Sequence, residues 1–99
     1  MDLENKVAVV TGSTRGIGRA IAESVARAGA EVVITARGEE QVQQVVKELT
    51  DAGLRARGTA CDVRSYPDVQ SLMKLAAGDR GEIHVLVNNA GVGAFAPIG

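Results

Sequence analysis

Short apolar runs alternate along this chain with stretches in which apolar residues recur every three or four positions. Strand-like and helix-like segments therefore succeed one another about every 25 residues. Val7-Ala8-Val9-Val10 marks a first strand over 6–11, apolar on both faces. A first helix follows over 17–28, with Ile17, Ile21, Val25 and Ala28 at helical spacing, and Gly29 stops it. Residues 31–36 read as a second strand. Residues 39–52 read as a second helix, in which Val42, Val45, Val46 and Leu49 stand at i, i+3, i+4 and i+7 before the stop at Gly53. A third strand over 55–60 carries alternating arginines, which suit an exposed sheet edge better than a centre. Ser65 and Pro67 then start a third helix through Val69, Leu72, Met73 and Ala76, the serine capping its free amides. After a turn at 78–81 comes a fourth strand over 83–87, which delivers Asn88-Asn89-Ala90-Gly91 to its carboxyl end.

Right-handed crossovers between parallel strands reduce this order of elements to one natural topology, an α/β doubly wound sheet of Rossmann type with strand order 3-2-1-4. A ligand is expected above strands one and four. The fourth strand, nearly all apolar, suits a sheet interior, yet here it stands at an edge. The chain therefore reads as a truncated amino-terminal half-domain.

Between the first strand and the first helix lies Thr11-Gly12-Ser13-Thr14-Arg15-Gly16-Ile17-Gly18. Glycines let the backbone turn sharply and come close to a pyrophosphate, while a helix start offers unpaired N–H groups and the positive end of its dipole. Strand, glycine turn and helix together form a cradle for a nucleotide's phosphates. The acid that usually reads the ribose, roughly 20 residues after the glycines, is absent, and Ala36-Arg37 stands in its place. Arginine there points to a ribose 2′-phosphate, hence to NADP in preference to NAD. A glycine turn alone is shared by methyltransferases, flavoproteins and dehydrogenases. A methyltransferase, however, needs an acid for the ribose hydroxyls where this chain has Arg37.

Charge and composition narrow the partners. With 11 basic and 12 acidic residues the formal net charge is −1, and Tyr66 and Phe95 are the only aromatic residues, so neither a basic surface nor a stacking platform for nucleic acid is expected. Apolar runs fall far short of the roughly 20 residues of a membrane span, and Asp2 and Glu4 are unlike the basic start of a signal peptide. No membrane association and a cytoplasmic location are the expectations. Cys61 can form no internal disulfide and, with the scattered His84, no metal site, so it is expected to be a small packed residue.

The glycine motif at 11–18, Asp62-Val63 after the third strand and Asn88-Asn89-Ala90-Gly91 after the fourth together resemble the short-chain dehydrogenase/reductase family. Among its members the chain looks most like 3-oxoacyl-carrier-protein reductases and aromatic polyketide ketoreductases, on the tracts Ala36-Arg37-Gly38-Glu39-Glu40 and Cys61-Asp62-Val63-Arg64-Ser65. The resemblance implies a dinucleotide-binding half-domain over 1–99. It also implies an NADP(H)-dependent oxidoreductase that interconverts a small-molecule ketone and alcohol, and a parent protein that forms homo-oligomers.

Carried over by position, Gly12, Gly16 and Gly18 would line the phosphates, with Ser13, Thr14 and Ile17 adding hydroxyl or backbone contacts. Arg15 and Arg37 would flank the 2′-phosphate; the alternative is a pair of solvated surface arginines. Asp62 would accept from the adenine amine while Val63 touches the ring; the alternative is a carboxylate at a helix start. Asn88 would tie strands together, and Asn89, Ala90 and Gly91 would line the cofactor. The family's catalytic tyrosine, lysine and serine correspond to positions beyond Gly99, so the resemblance assigns no catalytic residue to this chain and implies that it is inactive alone. Tyr66 is no substitute, since Gln70 stands where the lysine should be. Ser71-Leu72-Met73-Lys74 imitates a nucleophile motif only through the spacing of one helical turn, and His84 has no serine or cysteine partner nearby in sequence. A non-catalytic nucleotide-binding module, or an inactive fragment, is the alternative function.

Overall fold

Valine-rich strands with no polar face need cover on both sides, and the chain provides it with helices. The computed structural model describes residues 3–14, 16–62, 64–78 and 83–87. Its elements are β1 (Val7–Thr11), α1 (Gly16–Arg27), β2 (Glu31–Ala36), α2 (Glu39–Asp51), β3 (Ala56–Ala60), α3 (Tyr66–Ala77) and β4 (Val85–Val87). The strands form one parallel sheet in the order β3-β2-β1-β4, as the alternation predicts. In register, Thr11 pairs with Thr35 and Thr35 with Thr59, so the carboxyl ends of three strands finish level.

Successive strand residues point to opposite faces, and each face has its own core. On one side Val10, Val32 and Ile34 pack with Ala22 and Ala26 of α1 and with Val42, Val45 and Leu49 of α2. On the other, Val7, Val9 and Val33 pack with Cys61 and with Leu72 and Ala76 of α3. The valines of α2 thus do what their spacing predicts. Helix α1 does not: Gly18, Ala22 and Ala26 face the sheet, while Ile17 is 73% exposed. The expected face is rotated by one residue, because a stripe of small residues lets α1 lie closer to the sheet than isoleucine would. Ile21 packs only at the flank.

Helices α1 and α2 end in the same way. After α1, Gly29 (φ +108°) and Ala30 donate to the Ala26 and Val25 carbonyls; after α2, Gly53 (φ +85°) and Leu54 donate to those of Thr50 and Leu49. Each glycine takes a conformation that other residues adopt only with strain. Helix α3 starts as expected, the Ser65 hydroxyl accepting from the Asp68 amide at 3.4 Å. At its other end, Arg57 of β3 donates to the Leu75 and Ala76 carbonyls and pairs with Glu31 of β2 at 3.2 Å. An arginine that suits an exposed edge strand therefore also closes a helix.

β3 contains a glycine because α2 lies on it. A Cβ at Gly58 would press on the Ile34 carbonyl and come within 2.8 Å of Val42 Cγ1. At the opposite edge, His84 donates its amide to the Val7 carbonyl at 2.9 Å and accepts the Val7 amide on Nδ1 at 3.0 Å, holding the approach to β4 against the start of β1.

One buried clasp connects the turn after β1 to β2. The Ser13 amide donates to the Thr35 carbonyl at 3.0 Å, the Ser13 hydroxyl donates to the same carbonyl at 3.3 Å, and the Thr35 amide donates to that hydroxyl at 2.9 Å. Ser13 is fully buried, so these bonds lie out of reach of water.

Ser13→Ala is expected to lower unfolding stability by about 1–3 kcal/mol, the net worth of the two buried hydrogen bonds its hydroxyl makes, as read from urea denaturation curves. Gly58→Val is expected to cost at least about 1–3 kcal/mol through overpacking against the Ile34 carbonyl and Val42. A wild-type midpoint for the second variant would show that β2 and α2 both yield freely to the added side chain.

Candidate dinucleotide site at the carboxyl edge of the sheet

Parallel strands direct all their carboxyl ends to one side, and there the chain gathers most of the residues marked out by its sequence. The turn after β1 reaches α1 through two left-handed glycines, Gly12 at φ +62° and Gly16 at φ +63°. A Cβ built on Gly16 meets nothing within 4 Å, so this glycine is required by its backbone conformation and faces open space. Gly18 lies on the buried face of α1 and brings the helix onto the sheet. Ser13 directs its hydroxyl inward to Thr35, Thr14 is half-buried, and Ile17 stands exposed on the first turn of α1. Arg37 is exposed immediately after β2. Arg15, Val63, Asn88, Asn89, Ala90 and Gly91 lie outside the described residues.

The three helix starts on this edge differ in charge. α2 has Glu39 and Glu40 in its first turn, and Glu39 accepts the Ala60 amide of β3 at 2.9 Å. α3 has Asp68 and the Ser65 cap. The first turn of α1 has no acidic residue. Its free amides and dipole are therefore left for an anion from outside the chain. Behind them, Arg19 bridges α1 to α2 through Glu48 at 2.9 Å, with the Gln44 amide and Arg19 holding the Glu48 carboxyl below the usual range.

Asp62 follows β3, two residues past Ala60, which pairs with Ala36; the Cys61 amide donates to the Ala36 carbonyl at 2.8 Å. Arg37 and Asp62 thus leave neighbouring strands within one residue of the same level. The Asp62 carboxylate is engaged by Arg64: Oδ1 accepts from the Arg64 amide at 2.9 Å and from Nε at 3.1 Å, and Oδ2 accepts from Nη2 at 3.1 Å. These bonds hold the carboxyl below the usual carboxylate range, the guanidinium first and the amide second, and Arg37 adds a weaker pull. Asp62 is consequently ionised at neutral pH. Sequence reasoning assigned Arg64 no role of its own, and the available signal was an Asp-x-Arg spacing just before a serine cap.

Beneath this edge Cys61 is buried, as expected of a small packed residue. Burial, then the nearby Asp68 and Asp62, push its thiol up, and the Thr35 hydroxyl opposes them. A thiol kept protonated in this way is a poor nucleophile. No helix among the described residues is long and apolar enough to cross a membrane.

Residues 6–99 match the family described as short chain dehydrogenase. The chain is 45% identical over 93 residues to dehydrogenase/reductase SDR family member 4 of Sus scrofa, which covers 94% of this chain and 33% of that protein. It is 42% identical over 92 residues to a 3-oxoacyl-acyl-carrier-protein reductase of Vibrio cholerae, covering 93% of this chain and 36% of that one. Among solved structures, an actinorhodin polyketide ketoreductase variant crystallised with NADPH superposes with a TM-score of 0.81 at 46% identity, over 90% of this chain and 33% of that one. A hydroxysteroid dehydrogenase of Escherichia coli gives 0.82 at 35% identity, over 87% and 37%. The chain spans about a third of the length of the curated relatives it matches. With a parallel sheet in the order of a Rossmann half, a left-handed glycine turn at its carboxyl edge and a match over nearly all its residues, this chain belongs to the short-chain dehydrogenase family.

Proposed function

We propose that the chain is the coenzyme-binding part, over residues 1–99, of a cytoplasmic NADP(H)-dependent oxidoreductase acting on the C=O or CH–OH group of a small molecule, a 3-oxoacyl or cyclic ketone being the expected class. One observation carries this reading. The first helix opens at the carboxyl edge of β1 through Gly12 and Gly16, both left-handed, with no carboxylate in its first turn to neutralise its positive end. A diphosphate fits there: the amides supply donors, the glycines allow close approach, and Ser13 holds the turn in place through Thr35 without needing to touch the ligand. When bound, the coenzyme supplies hydride exchange at its nicotinamide.

This chain's residues bind and orient. Gly12, Gly16 and Gly18 shape the phosphate turn, with Thr14 and Ile17 at its rim. Arg37, together with Arg15, pairs with the 2′-phosphate, for which a guanidinium is a short, strong and bidentate partner. Asp62 accepts the adenine amine, and Val63, Asn89, Ala90 and Gly91 complete the adenosine and ribose contacts by analogy with the family. The NADPH crystallised with the actinorhodin ketoreductase supports the choice of phosphorylated coenzyme, as does the basic residue after β2 where an NAD site has an acid.

Calorimetric titration of the protein with NADP+ and NAD+ tests the reading directly, and tighter binding of NADP+ is expected. Arg37→Asp should lower the ratio of NADP+ to NAD+ affinity by roughly 10- to 100-fold, the range for loss of a charge-assisted contact. An unchanged ratio would sink the assignment of Arg37. Gly16→Ala projects a methyl into the open space before α1 and forces a left-handed alanine, so both coenzymes should bind less tightly by roughly tenfold or more while the circular dichroism spectrum stays that of the parent.

A further inference from the structure

The adenosine end of the proposed site sets two requirements that conflict. A carboxylate is needed to accept the adenine amine, but a carboxylate nearby repels a 2′-phosphate. Asp62 follows β3 one residue beyond the level at which Arg37 follows β2, and the Cys61–Ala36 hydrogen bond keeps the two strands together to their ends. An unpaired Asp62 would therefore work against Arg37. It is not unpaired, because Arg64 grips both of its oxygens through Nε and Nη2.

The grip is held in place from several sides. The Arg64 amide donates to Oδ1 at 2.9 Å, closing a tight turn on the side chain. The Asp62 amide donates to Asp68 Oδ2 at 3.1 Å, and the Ser65 amide donates to the Asp62 carbonyl at 2.8 Å. Backbone and carboxylate are thus both fixed before any ligand arrives. Among the described residues Arg64 bonds only to Asp62, and its side chain is 73% exposed against 34% for Asp62. A guanidinium has five N–H donors, and the two used here leave three facing away from the carboxylate. Oδ2 takes one donor from Arg64, so it keeps room for an amine.

Resting on the coenzyme reading above, we propose that Arg64 is a specificity-determining positioning residue: by neutralising Asp62 it allows one site to take the adenine amine and a 2′-phosphate together, and so favours NADP over NAD. The effect lies in charge. Losing Arg64 exposes the negative charge of Asp62 to the phosphate dianion and leaves a nucleotide without that phosphate little affected. Losing both residues removes the repulsion together with its remedy. Arg64 touches no reacting atom, and its effect on coenzyme choice runs through Asp62.

The test uses binding of adenosine 2′,5′-bisphosphate and adenosine 5′-monophosphate to the protein, measured by calorimetry at low and at physiological salt. Arg64→Gln is expected to lower the bisphosphate-to-monophosphate affinity ratio by roughly tenfold, more at low salt, where charges are screened least. Arg64→Lys, which keeps the charge, should stay within about threefold of the parent ratio, and Asp62→Asn combined with Arg64→Gln should recover most of what Arg64→Gln loses. The side chain is exposed, so thermal unfolding of the single variants should match the parent. An Arg64→Gln ratio equal to the parent's, a lysine variant as poor as the glutamine one, or a double variant no better than Arg64→Gln would each overturn the inference while leaving the coenzyme reading standing. Failure of the unaltered protein to bind either nucleotide would overturn the coenzyme reading, and the inference with it.

Discussion

Everything at the carboxyl edge depends on one buried clasp between Ser13 and Thr35. A turn that must hold two left-handed glycines gains nothing from its own side chains, since glycine has none, so its position has to come from elsewhere. Ser13 provides it with an amide and a hydroxyl that together make three hydrogen bonds to one residue of β2, out of reach of water. Hydrogen bonds in such a place cannot be exchanged for bonds to solvent, so the turn is locked to the sheet rather than merely resting on it. Where β2 ends, the start of α1 is fixed, and with it the direction in which the free amides point.

The sheet then sorts charge along that edge. The first turns of α2 and α3 hold carboxylates of the chain's own, Glu39 with Glu40 and Asp68, and only the first turn of α1 is left without one. Because the strands finish level, Arg37 and Asp62 leave the ends of β2 and β3 within one residue of the same level, and Arg64 takes up the negative charge of Asp62. An edge carrying only positive groups would attract any anion. In the coenzyme site proposed above, the Asp62 carboxylate near Arg37 would favour a molecule with phosphate at one point and a hydrogen-bond donor at another.

Packing explains the features of this fold that carry no chemistry. Helix α1 lies close to the sheet because Gly18, Ala22 and Ala26 let it, and α2 lies close to β3 because Gly58 lets it. Arg57 reaches across from an edge strand to the last carbonyls of α3, joining the layer on one face to the sheet.

Alternation of apolar runs with helical periodicity is enough, by itself, to specify the elements, the parallel sheet and the order 3-2-1-4, because the handedness of crossovers leaves few alternatives. The glycine turn and the helix stops were equally legible, since left-handed backbone leaves its mark as glycine at Gly12, Gly16, Gly29 and Gly53. Other features were out of reach of the sequence. Periodicity marks Ile17 as a core residue, yet the depth to which α1 settles on the sheet is decided by its smallest side chains, and that turns Ile17 outward. Ser13 reads from its motif as a hydroxyl or backbone contact to phosphates, and its bonds to Thr35 are seen only in the assembled sheet. Arg64 has no role of its own in the sequence, and its grip on Asp62 is seen only in the structure. Local patterns determine which elements form and where the chain reverses; the pairing of polar groups distant in sequence, or across a tight turn, is settled only when the strands are assembled, because hydrogen bonds act over a few ångströms in space and leave no period in the chain.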